Sequence, residues 1–212
     1  MLTLLAQSDA FHAALEEVLE PFAGYPLPQP RHRACAAAAS LSVEHGAALR
    51  LAFGHGMPSA ATALLRPQYE ALVRSAWSLH AATDEQVAVL MQPLDADADL
   101  RARKLPQAND MLTALDKVAP AGLLAPLREF HGVAWTGLNS YIHAGLHPIA
   151  RRVEGYPEVQ ALQLIRNSNG LLHFAYRLMA SLTGSPVVMA TMTHLWGDHR
   201  DCFPVAAPMG PA

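Results

Sequence analysis

Hydrophobic residues recur along most of this chain at intervals of three and four positions, which is the spacing of one face of an α-helix. Near the start, Phe11 and Leu15 follow this pattern, and Ser8 and Asp9 predict the N-terminal cap of a helix that ends near Glu20. No segment alternates polar and apolar residues with a period of two, so no sheet is expected. The pattern therefore predicts an all-α protein, built as a single-domain helical bundle.

Prolines and glycines divide the rest of the chain into further predicted helices. Their approximate limits are 31–53, 59–82, 84–91, 106–118, 123–144, 157–182 and 187–196. Residues 93–99 are interpreted as an acidic linker, and residues 151–157 as a loop. We place the bundle domain at residues 1–186 and a short C-terminal extension at residues 187–212.

The helix predicted over residues 59–82 has two distinct faces. Its apolar side carries Leu65, Leu72, Ala76 and Leu79. Its polar side carries Arg66, Glu70, Arg74, Trp77 and His80. Ion pairs can form along the polar side, since its charged residues are four positions apart. Two interpretations stay open: a solvated face with weak surface ion pairs, or the wall of a cleft, because a tryptophan lies among the charges.

The stretch at 139–148 concentrates an amide, a hydroxyl, a phenol and two imidazoles, carried by Asn139, Ser140, Tyr141, His143 and His147. Gly145 is a natural helix stop, and Pro148 disfavours the α conformation at the residue before it. We therefore predict that the helix ends near Ala144, with His143 in its last turn and His147 in the exit loop. Two interpretations stay open. Such a helix end can present side chains to a ligand, or it can be a structural C-terminal cap.

Neither metal nor cofactor chemistry is indicated by the motifs of the chain. The spacing of His143 and His147 fits two zinc ligands on a helix, but no nearby cysteine or aspartate completes a set. The chain also lacks a nucleophile elbow, a P-loop and a dinucleotide-binding fingerprint. We expect no metal and no cofactor.

A second polar segment lies inside the helix predicted over 157–182 and contains Arg166, Asn167, Asn169 and His173. Arg166 and His173 are seven positions apart, hence nearly on one face and about 10 Å apart along the helix axis. Arginine can hold a phosphate through two parallel hydrogen bonds, and histidine can transfer a proton near neutral pH. This pair is suited to cutting RNA without a metal ion. The alternative is a packed histidine beside a surface arginine.

Three segments together resemble an uncharacterised bacterial family of about this length. They are Arg66-Pro67-Gln68-Tyr69-Glu70, Asn139-Ser140-Tyr141 with His143 and His147-Pro148, and Arg166-Asn167-Ser168-Asn169-Gly170. The resemblance covers residues 60–182 and implies no established activity.

A shorter motif resembles that of the HEPN superfamily, in which an arginine, a polar residue and a later histidine lie in an all-helical bundle. Arg166, Asn167 and His173 match it, although here the pair lies inside a long helix with Gly170 between its members. The resemblance implies a metal-independent RNase of a toxin–antitoxin or defence system, often active as a dimer. Its expected partners are RNA, an antitoxin or a second copy of the chain.

Composition limits these interpretations. Hydrophobic residues make up 51% of the 212 residues and charged residues 16%, which supplies enough apolar material for a sizeable core. The formal charge of −3 argues against a general polyanion-binding surface, though not against a local basic patch. Cys35 and Cys202 make no disulfide framework, and no signal peptide or membrane span is evident. We expect a cytoplasmic protein that does not enter membranes.

The leading functional hypothesis is a HEPN-like RNase or an RNA-phosphate-binding protein. In it, Arg166 holds the phosphate, His173 or His143 acts as the acid or base, and Asn167 and Asn139 orient them. The alternative is a non-catalytic bundle that binds a small polar or anionic ligand, or a protein partner.

In that alternative the pocket is lined by Arg66, Glu70, Tyr141 and His147. Because charges and amides on the inward side of a bundle need partners, we expect the three polar segments to converge. Arg66, Glu70 and Arg74 should then face residues 139–147, with residues 166–169 closing the site.

Overall fold

The computed structural model describes residues 1–204, which form ten α-helices, two short 3₁₀ turns and no strand, so the all-α prediction is confirmed for this part of the chain. The helices are α1 Leu2–Leu19, α2 Pro30–Gly54, α3 Pro58–His80, α4 Asp84–Met91, α5 Ala98–Ala102, α6 Ala108–Leu115, α7 Ala121–Ile142, α8 Leu146–Glu154, α9 Glu158–Ser181 and α10 Pro186–Asp198. The 3₁₀ turns are Glu20–Phe22 and Arg200–Cys202. In the described range, no helix combines the length and the apolar character needed to cross a bilayer.

The centre of the molecule is the pair α2 and α3, which pack against each other along their whole length. Side-chain bonds join Arg31 to Ser78 and Cys35 to Ser75, so the two helices run antiparallel. Helix α9 packs on both members of this pair, α7 and α6 pack on α3, and α1 and α10 pack on α9. Helix α3 thus contacts four other helices, α2, α6, α7 and α9.

A small polar cluster is sealed inside the core where α2, α3 and α9 meet. Gln68 donates from Nε2 to the carbonyl of Ser168 at 3.0 Å and accepts from the Ser168 hydroxyl at 2.7 Å. Ser42 donates to the backbone carbonyl of Gln68 at 2.8 Å. All three residues are fully buried, and Gly46 leaves the space that the amide of Gln68 occupies. These bonds satisfy buried polar groups and fix the three helices relative to one another.

The first helix begins earlier than the sequence predicts. Helix α1 starts at Leu2, and Ser8 lies inside it, with its hydroxyl donating to the carbonyl of Leu4 at 2.7 Å. The prediction that Ser8 caps the helix is wrong because Leu4 and Leu5 are buried against the core and extend the helix toward the N-terminus.

The segment after α7 is also more helical than predicted. Helix α7 ends at Ile142, and α8 already begins at Leu146, so His147 lies in a first helical turn and not in a loop. Pro148 is the third residue of α8, where a missing N–H costs no intrahelical hydrogen bond. The sequence pattern predicts residues 151–154 as part of a loop. This prediction is wrong, because they form the last turn of α8.

Trp77 belongs to the core and not to the polar face of α3. Only 1% of it is exposed. The two-faced pattern misplaces Trp77 because α3 has packed neighbours on most of its circumference, which leaves Arg66, Glu70 and Arg74 as the charged row. Within this row, Arg66 contacts Asn139 and Trp135 of α7 and is not an ordinary solvated side chain.

The C-terminal part of the described chain packs on the bundle. Val188 and Met192 of α10 are buried with Phe11, Leu15 and Leu172. Cys202 and Phe203 in and after the last 3₁₀ turn join the same apolar cluster. Residues 205–212 of the predicted extension lie outside the described residues.

Candidate functional site

A polar row on α3 faces an aromatic and polar row on α7. The α3 row is Thr62, Arg66, Glu70 and Arg74, spaced by four residues. The α7 row is His131, Trp135 and Asn139, with the same spacing. Because four residues nearly complete one helical turn, each row stays on one side of its helix. Together with Tyr141, His147 and Tyr156, these residues are called the Arg66 site.

The guanidinium of Arg66 is held from three directions. Its Nε donates to Oε1 of Glu70 at 2.9 Å, and its Nη1 donates to the side-chain oxygen of Asn139. Its Cζ lies 4.2 Å from the centroid of the Trp135 ring, a cation–π contact. Only 18% of the Arg66 side chain is exposed. The structure thus brings Arg66 to Asn139, while Glu70 is joined to them only through its ion pair with Arg66.

This arrangement leaves part of the Arg66 guanidinium available. An arginine has five N–H donors. The two on Nη2 of Arg66 have no hydrogen-bond partner within residues 1–204, and this nitrogen is accessible to solvent. A guanidinium fixed at one edge and open at the other is prepared for an oxygen ligand.

The site carries more positive than negative charge on α3. Glu70 pairs with Arg66 and also acts on Arg74, one turn further along the helix. Burial lowers the pKa of Arg74, while the neighbouring Glu70 opposes that shift. Arg74 makes no ion pair within the described residues, so two guanidinium groups share one carboxylate. Partly desolvated and uncompensated positive charge favours an anion.

The corner between α7 and α8 is tightly built. Ala144 has a φ of 49°, which a non-glycine residue adopts only when its surroundings enforce it. The hydroxyl of Ser140 accepts a hydrogen bond from the backbone N–H of His147 at 3.1 Å. A Cβ on Gly145 would lie 2.7 Å from that hydroxyl oxygen, so a larger residue there would require Ser140 to move. The corner therefore fixes the approach of α8 to the end of α7.

This corner places two rings side by side. Tyr141 and His147 have ring centroids 6.5 Å apart with an angle of 14° between the planes. His143 follows the last residue of α7 and is exposed. The sequence motif is thus a compact turn that presents a phenol and two imidazoles beside Asn139.

The hydroxyl of Tyr141 is buried and has no hydrogen-bond partner within residues 1–204. Its neighbour Tyr156 shares a 2.6 Å hydrogen bond with Thr62, and Thr62 itself donates to the carbonyl of Pro58. Tyr156 must therefore be the donor toward Thr62. Burial raises the pKa of Tyr156 to about 12, so this phenol stays protonated at neutral pH. The Tyr141 hydroxyl lies close enough to Tyr156 to contribute to that shift in pKa, so the two phenols are neighbours at the edge of the site.

His131 and Trp135 were not predicted as site residues, although their spacing with Asn139 was visible in the sequence. Their rings stack with centroids 4.6 Å apart at an angle of 28°. Nε2 of His131 is buried without a partner in the described part of the chain, and burial lowers the pKa of its imidazole. The missed signal was a helical row of ring and amide side chains opposite the row on α3.

The segment 166–169 does not close this site. Asn169 is buried on the side of α9 that faces α1, where its Nδ2 donates to Ser8 at 2.8 Å and to the Cys202 carbonyl at 3.0 Å. Asn167 accepts a hydrogen bond from Gln163 near the surface. The expected closure by α9 is wrong because Ser168, buried in the core, is the residue of this segment that bonds to α3.

His173 lines a separate cavity of about 330 Å³. The other lining residues are Gly170, Phe174, Arg177, Thr193, Trp196 and Phe203. Arg166 is not among them, so the cation that shares this cavity with His173 is Arg177. The Nε of Arg166 is buried without a hydrogen-bond partner in the described residues.

The proton of His173 can be located from its hydrogen bond. Nε2 lies 2.7 Å from the backbone carbonyl of Met192, and a carbonyl can only accept, so Nε2 carries the proton. Burial lowers the pKa of His173 and nearby Arg177 adds to that effect, while the bond to Met192 opposes it. Because burial dominates, the ring is neutral at pH 7, and its Nδ1 is the unprotonated nitrogen.

The lowered pKa of His173 predicts an acid-sensitive stability. In the unfolded chain an imidazole takes up its proton near pH 6.5, whereas folded His173 does so at lower pH. Its contribution is therefore present above pH 6.5 and is lost as the pH falls from there through the folded pKa. The slope is at most about 1.4 kcal/mol per pH unit for one proton.

His173→Gln keeps a donor for the Met192 carbonyl but cannot titrate. Urea unfolding between pH 7.5 and 5 should show a weaker pH dependence for this variant than for wild type. His194→Gln, which removes an exposed imidazole, serves as the control. An unchanged slope in His173→Gln would show that the buried ring is not the group responsible.

Residues 39–205 match the family model described as a family of unknown function (DUF6988), and the chain belongs to that family. The matched region contains all of the Arg66 site and α9, whereas α1 lies outside it. Comparison with curated proteins gave no match, and neither did comparison with solved structures.

Proposed function

We propose that this member of the DUF6988 family binds a ligand bearing an oxyanion, either a phosphate or a carboxylate, at the Arg66 site. The observation that carries the proposal is the state of the Arg66 guanidinium. Glu70, Asn139 and Trp135 fix it, while the two donors on Nη2 stay unused. Such prior ordering reduces the entropy lost on binding.

The surroundings of Arg66 support an anionic ligand. Arg74 supplies a second cation, so the row on α3 retains a net positive charge when Glu70 is ionised. The buried hydroxyl of Tyr141, beside Tyr156, adds a neutral O–H donor. Charge-assisted bonds to a guanidinium contribute about 1.5–3 kcal/mol each, so one bidentate contact supports recognition of a small ligand.

The test is a calorimetric titration of the full chain with inorganic phosphate, acetate and a short single-stranded RNA. The proposal predicts saturable binding of at least one of these probes. Arg66→Gln should weaken it by about tenfold or more, which corresponds to loss of one charge-assisted hydrogen bond. Arg66→Lys should also weaken it, because an ammonium cannot present two donors in one plane.

Arg103→Gln is the matched control, since Arg103 is exposed and its loss removes the same charge. It should bind the probe as wild type does. If Arg103→Gln and Arg66→Gln lose the same affinity for the probe, the loss reflects only the change in net charge, and a defined binding site is contradicted. The relative affinities for phosphate, acetate and RNA then identify the source of the oxyanion.

A HEPN-like RNase is the second candidate, and the cavity beside His173 favours it. There a neutral imidazole and the guanidinium of Arg177 share about 330 Å³ with the rings of Phe174, Trp196 and Phe203. Aromatic rings can stack on bases, and the cation can hold a phosphate. This candidate ranks second because His173 is only 6% exposed and already donates to Met192.

The RNase hypothesis makes its own prediction. Cleavage of single-stranded RNA should continue in excess chelator and leave 2′,3′-cyclic phosphate ends, because the internal 2′-hydroxyl attacks. His173→Gln should lower the rate by about 10²–10⁴-fold if the ring is the general base. The same assay applied to a purified dimer, or to a complex with an antitoxin-like partner, tests that form of the hypothesis. RNA left intact under all these conditions removes this candidate and leaves the Arg66 proposal standing.

A further inference from the structure

A cavity of about 990 Å³ opens between α1, the 3₁₀ turn Glu20–Phe22 with the loop that follows it, α2 and α9. It is separate from both sites described above. Its walls are mostly apolar or aromatic, with Leu19, Phe22, Tyr25, Val43, Met179 and Leu182 among them. We infer that this cavity is a binding site for an organic cation with an apolar body, such as an amine or ammonium compound carrying a hydrocarbon chain.

The sign of the charge follows from the residues that line the cavity. Three glutamates line it, Glu16, Glu17 and Glu20, and no lysine, arginine or histidine does. Glu16 lies 3.6 Å from His12, whereas Glu17 and Glu20 form no ion pair within residues 1–204. Three carboxylates around one opening repel each other and attract a cation.

Their position on α1 adds to the argument. Glu16 and Glu17 lie in the last turn of α1, which contains no basic residue, and Glu20 follows directly in the 3₁₀ turn. The C-terminal end of a helix carries partial negative charge, so carboxylates are unfavourable there and cations are favourable. A bound cation would relieve both the mutual repulsion and the unfavourable interaction with the helix end.

The walls fit the apolar part of such a ligand. Phe22 and Tyr25 form a tilted pair with centroids 6.2 Å apart at the mouth, and 71% of Tyr25 is exposed. Exposed aromatic faces near carboxylates are suited to an ammonium group. The cavity volume lies at the upper end of the range of about 300–1,000 Å³ typical of small-molecule sites. Met179 and Leu182 on α9 offer apolar surface to a hydrocarbon chain.

A polar side chain in the wall is also oriented by its own hydrogen bonds. Arg50 can only donate, and its Nη2 lies 2.7 Å from Nδ1 of His12, so Nδ1 accepts. Nε2 of His12 then carries the proton and donates to the hydroxyl of Tyr176 at 3.0 Å. Tyr176 lines the cavity and is left with its own O–H for an acceptor. This donor suits a ligand that also carries a hydroxyl or ether oxygen.

The experiment compares three probes that share one hydrocarbon chain: octyltrimethylammonium, 1-octanol and octanoate, titrated calorimetrically into the full chain at low salt. The inference predicts the affinity order cation, then neutral alcohol, then anion. Glu16→Gln/Glu17→Gln/Glu20→Gln should weaken octyltrimethylammonium binding by at least tenfold and leave octanol unchanged. Ser40→Trp, which adds bulk at an exposed lining position of α2, should weaken both.

Glu85→Gln/Glu129→Gln/Glu154→Gln is the charge-matched control, because it removes three exposed carboxylates that do not line the cavity. It should bind the ammonium probe within about twofold of wild type. Tightest binding of octanoate, absence of binding by all three probes, or equal losses in the two triple variants would overturn the inference. Circular dichroism and thermal unfolding of each variant confirm that the helices are retained. None of these outcomes depends on the Arg66 site.

Discussion

Trp77→Ala is expected to lower the free energy of unfolding by about 3–5 kcal/mol, the typical cost of removing a large buried ring. Trp77 is 1% exposed and is among the largest fully buried side chains of the described chain. It packs in the main apolar cluster with α3 residues such as Val73 and Ala76. Because α3 contacts α2, α6, α7 and α9, a cavity at this position cannot be closed by moving a single helix.

The matched comparison is Trp196→Ala on α10. Trp196 is 48% exposed, so its removal should change the unfolding free energy by less than about 1 kcal/mol. Urea unfolding followed by circular dichroism measures both variants on the same scale. If Trp77→Ala lowers the free energy of unfolding no more than Trp196→Ala does, Trp77 lies at the surface. The sequence-based assignment of Trp77 to the polar side of α3 would then be correct.

Gly46→Ala should destabilise the protein by about 2 kcal/mol, although alanine is the better helix former. A Cβ at this position would lie 2.7 Å from Nε2 of Gln68. Gln68 is fully buried and bonded twice to Ser168, so its amide has no free space to move into. The lost bonds leave polar groups buried without partners at about 1–3 kcal/mol each, which exceeds the gain in helix propensity of about 1 kcal/mol.

Gly170→Ala is expected to change the free energy of unfolding in the opposite direction. Gly170 lies inside α9, and a Cβ there meets no atom within 4 Å. This change should stabilise the protein by up to about 1 kcal/mol, because only the backbone entropy term remains. The pair is measured by thermal unfolding of two proteins that differ only in where one methyl group is added. Equal shifts in the same direction would mean that α2, α3 and α9 are not in close contact at Gly46.

Periodicity predicts the three central helices well because the determinants are local. The limits of α2, α3 and α9 follow from prolines at their starts and from glycine or polar residues near their ends. Thr83 caps α4 and forms a complete capping box with Gln86, a signal carried by four consecutive residues. Helix limits and caps that depend on residues within one or two helical turns can therefore be predicted from the sequence alone.

The sequence predictions are wrong where contacts between helices determine which way a side chain faces. Trp77 occupies the angular sector of the charged row on α3, yet a surrounded helix buries several sectors at once. Residues 166–169 follow one another on α9, but consecutive residues of a helix point about 100° apart. Ser168 therefore reaches Gln68 while Asn169 reaches Ser8. No rule on spacing within one helix determines which neighbour each residue meets.

The candidate site was predictable in part for the same reason. Arg66, Glu70 and Asn139 could be identified as polar residues on helix faces, and the hydrogen bond from Arg66 to Asn139 shows that α3 and α7 are neighbours at this level. His131 and Trp135 could be recognised only by placing a second row of four-residue spacing against the first. Tyr156 and Thr62 meet through a bond between residues 94 positions apart, which no local pattern reports.

The most direct test of the proposed function is the NMR signal of the Arg66 guanidinium during titration with inorganic phosphate, the spectra being assigned with Arg66→Lys. The proposal predicts that the Arg66 Nε and Nη resonances shift saturably, while those of the exposed Arg103 change little. Acetate and short RNA, titrated in the same way, should act on the same resonances if their oxyanions use this site. Unchanged Arg66 resonances at saturating concentrations of all three probes would contradict the account.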